Sequence, residues 1–186
     1  MSCDIIGGRT EQCKDAVSGL HAIYMINYGD LDVPSVVTYG TGDNTDQITA
    51  ITGASTSLYK FELKGNNSFE QAINSSRENG TTFFEQTLAV QLKRQDVKST
   101  KNVKLISYGR PRIIIHARGD QWFLMGLDQG CDVSAGTISS GSALGDFNGY
   151  SLTFTGMEEL PANFINCSTE AELKTLMGGS VVITTT

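Results

Sequence analysis

Proline is scarce in this chain, with 3 residues against 20 glycines in 186, and histidine is scarcer still at 2. Tryptophan occurs once and charged residues make up only 18% of the total. Low charge together with 39% hydrophobic residues separates the chain from disordered segments, which lack the apolar surface needed to fold. No apolar run reaches the roughly 18 residues of a membrane helix, so no membrane partner is expected. The start, Met1-Ser2-Cys3-Asp4-Ile5-Ile6-Gly7-Gly8, has no basic region running into an apolar stretch, which points to cytoplasmic synthesis. Lys and Arg number 14 against 20 Asp and Glu, a net charge of -6 that is the wrong sign for gripping a nucleic-acid backbone.

Chemistry-bearing constellations are equally thin. Cys3, Cys13, Cys131 and Cys167 are far apart with no CxxC pair, and read as free thiols rather than a disulfide framework or a zinc site. The sequons at Asn66, Asn74, Asn79 and Asn166 are read as chance in an Asn/Ser/Thr-rich chain. Nucleophilic catalysis needs a positioned base, and only His21 and His116 are available. His116, inside Ile113-Ile114-Ile115-His116-Ala117, is expected to be a satisfied sheet histidine. Asp30, Asp32, Asp43 and Asp46 crowd one loop but match no calcium-binding spacing. Gly7-Gly8 and Gly141-x-x-x-Gly145 lack the Lys-Ser/Thr ending of a phosphate loop, and Trp122 is expected in the core. No catalytic, metal or cofactor-binding residue is therefore expected, and the chain is read as a non-enzyme.

What the sequence does contain is β signal. With 186 residues it fits one domain able to bury a real core, and its glycine, Thr, Ser and Asn content favours short strands joined by turns. Residues 1–19 read as an arm, 20–27 as a buried strand and 31–46 as a long loop. Strands are expected at 47–52, 57–64, 68–76 and 81–93, the last two joined across Asn79-Gly80 as an antiparallel hairpin. Segment 57–64 alternates, with Leu58, Lys60, Glu62 and Lys64 expected on a wet face. A helix is expected over 96–108, capped by Asp96 and ended by Gly109 and Pro111. RIIIHAR and QWFLMGL flank Gly119-Asp120 as a core hairpin, and Tyr150, Leu152 and Phe154 alternate on the last strand of the same main sheet. Residues 128–149 look too polar for a core and read as an ordered loop or arm. A short helix at 168–177, with Glu172 beside a Ser168 or Thr169 cap, and a strand at 181–185 close the chain.

Several of these segments, in order, resemble a family of small virion proteins from tailed phages of Bacteroidetes, including the crAss-like phages. The matching stretches are SLYKFELK with SFEQAINSSRENGTTFFEQTLAVQLKRQD, then KNVKLISYGRPRIIIHARGDQWFLMGLDQG, then ALGDFNGYSLTFTG, spanning about residues 20–165. The resemblance implies a mainly β fold, an antiparallel β-sandwich or barrel of the phage tail-tube type with one flanking α-helix and long loops or arms. It implies a domain over 20–165, between an arm at 1–19 and a C-terminal helix or extension at 166–186. The implied role is a structural subunit of the virion tail or neck, made in the host bacterial cytoplasm. Its partners would be copies of itself in a hexameric or dodecameric ring, neighbouring tail or neck proteins, and DNA passing through the lumen without specific binding.

Sheet edges and Gly/Ser-rich loops would then be the contact surfaces. Candidate inter-subunit residues are Asn79 and Gly80 on the hairpin, Lys98, Lys101 and Lys104 on the helix, and Ala135, Gly136, Gly141, Gly145 and Asp146 in the 128–149 arm. The alternatives are a head-associated decoration or completion protein, and a carbohydrate-binding β-sandwich using Trp122 or Tyr150.

Overall fold

The computed structural model describes residues 5, 7–11, 13–31, 37–52, 57–179 and 181–185, so Cys3 and Asp32 lie outside it. Among the described residues the strands are β1 (Leu20–Ile26), β2 (Val37–Tyr39), β3 (Gln47–Ile51), β4 (Ser57–Glu62), β5 (Ser68–Ser76), β6 (Thr81–Lys93), β7 (Arg112–Ala117), β8 (Trp122–Met125), β9 (Asp132–Ser139), β10 (Gly149–Glu158), β11 (Asn163–Ile165) and β12 (Val182–Thr184). Helix α1 covers Val97–Tyr108 and α2 covers Glu170–Leu176. Eight strands form a sheet in the order β12-β4-β1-β7-β8-β11-β3-β2, and four form a second in the order β5-β6-β10-β9. The fold is mainly β. The small sheet is wholly antiparallel, whereas β12 on β4 and β11 on β3 pair parallel in the large one.

Why LHAIYMI and RIIIHA are continuously apolar follows from their place at the centre of the large sheet, which is covered on both faces. Ile23, Met25, Ile113 and Ile115 face the small sheet and meet Leu88, Val90, Leu152 and Phe154 there. Tyr24, Ile26 and Ile114 face the other way, into a second core closed by Leu173 and Met177 from the α2 end of the chain. Three layers result. Strands β6 and β10 instead alternate, burying Leu88, Val90, Leu152 and Phe154 while Thr87, Ala89, Thr153 and Thr155 line the opposite, solvent-facing side.

Local chemistry fixes the punctuation. Asp96 caps α1 by accepting the Ser99 amide at 2.5 Å, and Thr169 caps α2 by accepting the Glu172 amide at 3.3 Å. The β5–β6 hairpin pairs Ser76 with Thr81, so its loop is Arg77–Gly80 and Gly80 supplies the positive φ of 64°. In the β7–β8 hairpin it is Asp120, not Gly119, that takes the positive φ, at 55°.

Four expectations need correction. The 128–149 segment is not all loop: β9 runs through it because β10 offers a paired edge, which outweighs the weak strand propensity of DVSAGTIS. Strand β10 sits in the small sheet, not with β7 and β8. Segment 57–64 has no uniformly wet face, since Leu58 is fully buried beneath the α2 side and Tyr59 is the exposed one. The stretch expected as loop over 31–46 contains β2, and β11 adds a strand read from no signal. Beyond Ile165 the chain runs through α2, packed on the large sheet, and ends in β12 beside β4, where the sequence places a short helix at 168–177 and a strand at 181–185.

Candidate functional site

The two sheets treat their edges differently. Among the described residues the large sheet ends in β2 and β12, each 3 residues long, which leaves little described main chain for another strand to pair with. The small sheet ends in β5, 9 residues long, and β9, 8 residues long. Neither SFEQAINSS nor DVSAGTIS holds a Lys or Pro, the residues that blunt sheet edges elsewhere. Among the described residues no main-chain bond joins the outer row of either strand to another strand or to α1. One carbonyl of β9 is engaged by a side chain, with Gln95 Nε2 donating to the Ser139 oxygen at 2.7 Å. The guards present among the described residues are two exposed acids, Glu70 on β5 and Asp132 at the start of β9, and a bulge that leaves Ser134 outside the backbone register with β10.

The turn that feeds β9 is held from several directions. Gly126 has φ +68 and no room for a side chain, because a Cβ there would lie 2.8 Å from the Gly130 carbonyl carbon and closer still to Cys131 Sγ. Its amide donates to Gln86 Oε1 at 3.0 Å. Glu158 Oε1 accepts the Asp128 and Gln129 amides at 3.1 and 2.9 Å, and burial pushes its carboxyl above the usual range. Arg112, 3% exposed, donates through Nε to the Leu127 oxygen at 2.7 Å and through Nη1 to the Tyr28 and Leu31 oxygens at 2.6 Å each. Its guanidinium also lies 4.2 Å from the centroid of the Tyr28 ring. A buried cation satisfied by three carbonyls fixes where β9 begins, and so where its edge points.

The sequence-nominated residues divide by position. Ala135 and Gly136 lie exposed in the β9 edge itself, while Asn79 and Gly80 sit at the hairpin tip. Gly141, Gly145 and Asp146 belong to the loop between β9 and β10, where Asp146 Oδ2 accepts the Ser142 amide at 2.9 Å, the Ala143 amide at 2.7 Å and the Ser142 hydroxyl at 3.1 Å. Those bonds hold the Asp146 carboxyl below its ordinary range and make it the organiser of that loop. Leu144, at the tip it organises, is fully exposed. Lys98, Lys101 and Lys104 are exposed along α1, with no ion pair among the described residues. The sequence offers Val97, Val103, Leu105 and Ile106 as the apolar stripe of this helix, but only Val103 and Ile106 pack inward, and Val97, Leu105 and Tyr108 are 88%, 59% and 81% exposed. Their 0, +8, +11 spacing on one helical stripe was the available signal. Sequence reasoning missed Ile73 on β5, which is 69% exposed.

The two histidines share a cleft of about 340 Å³ with Glu62, Lys64, Arg118 and Asp120. His116 stacks on Trp122 at 3.9 Å, and His21 meets its edge at 5.1 Å. Contrary to expectation His116 is not satisfied: its Nε2 is buried without a hydrogen bond, 3.8 Å from Asp120 Oδ1. Burial and the neighbouring His21 hold its pKa below the ordinary value. Among the described residues no three His, Cys, Asp or Glu side chains converge as metal ligands. Cys131 and Cys167 are buried thiols, pushed up by desolvation, Cys167 to about 12, and Cys13 is exposed. Trp122 and Tyr150 are 1% and 0% exposed, so neither ring offers a platform for a sugar. Comparison with protein-family models, with curated proteins and with solved structures found no match.

Proposed function

We propose that the chain is a structural subunit of a bacteriophage virion, forming a ring or tube in the tail or neck through which DNA passes. One observation carries the assembly part of this reading: the small sheet keeps two long edges without Lys or Pro, while among the described residues the large sheet's edge strands are 3 residues each. Within the small sheet β5 and β10 run one way and β6 and β9 the other. Rotation about an axis along the strands brings β9 of one copy beside β5 of the next in the antiparallel sense. Each copy then continues its neighbour's sheet, and a head-to-tail contact of this kind closes into a ring when the rotation per copy divides a full turn.

Six copies of 4 strands give a closed sheet of 24. At about 4.8 Å per strand its circumference is roughly 115 Å before tilt, which leaves a lumen of roughly 25 Å once side chains are allowed for. The wall of that lumen would be the solvent-facing side of the small sheet, where Thr87, Ala89, Thr153 and Thr155 stand with the acids Glu70 and Glu85. Such a wall offers DNA neither clustered cations nor base-reading groups, which suits passage without binding. The virion setting rests on the resemblance of the segments within residues 20–165.

Sedimentation of the purified chain over a concentration series tests the assembly reading. A single closed species should grow in with concentration, and Ala135→Lys with Thr137→Lys should hold the protein monomeric by placing two charges in the joint. A wild-type chain that stays monomeric at the highest concentration, and is missing from purified particles by mass spectrometry, would overturn it.

A further inference from the structure

We propose that the joint between copies is polar in charge as well as direction, with the lysine face of α1 in one copy seating on the acidic flank of β5 in the next. This rests on the edge-pairing reading above and names the surfaces that would give it register.

Charge is distributed very unevenly along the chain. Residues 93–112 hold 7 of the 14 Lys and Arg and a single acid, Asp96, a net of +6, so the remaining residues sum to -12 against the chain total of -6. Of those cations Arg112 is buried, while Lys98, Lys101 and Lys104 stand exposed at intervals of three on α1. A solvated helix usually answers its lysines with acids three or four residues away, and α1 contains none. Its exposed stripe adds Val97, Leu105 and Tyr108, which would otherwise stay in water.

The fold puts this face beside the β9 edge. Gln95, just before α1, bonds the far end of β9 at Ser139, and Arg110, just after it, approaches Asp132 at the near end with Nε 3.6 Å from Oδ1. The helix therefore runs along β9. It lies on the side facing the large sheet, because Val103 enters the core between the sheets.

The opposite flank carries the complement. Phe69 of β5 packs on Phe123 of β8 at 5.7 Å, Phe123 packs on Phe164 of β11 at 4.7 Å, and the Ala162 amide donates to Gln71 Oε1 at 2.8 Å. These contacts set β11, with β3 and β2 beyond it, next to β5 on the large-sheet side. Asn163 Nδ2 bonds the Asp46 main-chain oxygen at 3.0 Å, which places the β2–β3 turn there too. Exposed on this flank are Asp43, Asp46 and Glu159, with no ion pair among the described residues. Between them Ile73, Leu160 and Phe164 are 69%, 48% and 48% exposed. Three unpaired cations around an apolar stripe thus face, across the proposed joint, three unpaired anions around an apolar patch. Opposite charges matched in this way fix register and exclude wrong pairings more than they add affinity.

Complementation between two charge-reversed chains tests this. One carries Lys98→Glu, Lys101→Glu and Lys104→Glu; the other carries Asp43→Lys, Asp46→Lys and Glu159→Lys. All six sites are exposed, so both variants should melt with wild type by circular dichroism. Each alone should need at least about tenfold more protein for half-assembly. An equimolar mixture should assemble like wild type, because every joint in an alternating ring then pairs opposite signs. Wild-type rings unaffected by the lysine reversal would sink the charge pairing and leave the edge reading standing. Two impaired variants whose mixture stays impaired would sink the pairing of these two surfaces. A wild-type chain that never assembles would take both proposals down together.

Discussion

Replacing Arg112 by Met should cost about 3–5 kcal/mol of folding stability, because it leaves three enclosed carbonyls without their donor. Three carbonyls, those of Leu127, Tyr28 and Leu31, receive its N–H groups at 2.6–2.7 Å, and each loses its donor in the variant. A carbonyl left without a partner in a site this enclosed costs about 1–3 kcal/mol. Relief from desolvating the guanidinium, together with water reaching the Tyr28 side, returns part of that sum, which brings the net to the stated range. Against a total stability of about 5–15 kcal/mol for a domain this is a large fraction. Lysine at the same position keeps the charge but not the fork, and should recover less than half of the loss. Equilibrium unfolding in urea, read by the fluorescence of Trp122, measures both. A loss below about 1 kcal/mol for the Met variant would show that the three bonds are not what fixes the turn before β9, and the argument for a preset edge would fail with it.

Further outcomes follow from the same geometry. Gly126→Ala should destabilise by at least about 2 kcal/mol, since its backbone is left-handed and the new methyl meets Gly130 and Cys131; an unchanged urea midpoint would contradict the turn geometry. Asp96→Ala should cost about 1 kcal/mol by removing the cap of α1, and thermal melts compare the two proteins. His116 is held neutral in the fold, so the stability it contributes is whole above the unfolded value of 6.5 and is lost as pH falls through its lowered native value. His116→Phe keeps the stack on Trp122, removes the unpartnered nitrogen, and should erase that acid-side loss in melts taken from pH 7.5 to 5. Glu158 runs the other way: its raised native pKa means its contribution is whole below 4.5 and is lost as pH rises through the native value. Glu158→Gln retains the oxygen that accepts two amides and should melt above wild type at pH 7, with the gap closed by pH 4.

Much of the fold was legible wherever one physical cause dominated. Asp96, Thr169 with Glu172, and Asn79-Gly80 each act through local hydrogen bonding or a positive φ, and the elements they bound lie where the sequence puts them. The run RIIIHA reads as a core strand of a hairpin, and it pairs with β8 as one. Strand β9 was not legible, because DVSAGTIS has no alternation of its own and is held by seven residues of β10 that arrive later in the chain. β11, at 3 residues, exists only through its neighbours β8 and β3. Among the candidate contacts, Ala135 and Gly136 were nominated as loop residues and lie in the outer strand β9 of the small sheet, whereas Asp146 is occupied with its own loop. Arg112 could not be picked out as a buried anchor, since its carbonyl partners come from segments 15 to 84 residues away.

Hydrogen–deuterium exchange on the chain at low and at high concentration tests the central claim most directly. If copies join through the small sheet, amides of β5 and β9 should gain protection as concentration rises, while β2 and β12 exchange at the same rate in both samples. Protection that appears at β2 or β12 instead, or nowhere in an assembled sample, would contradict it.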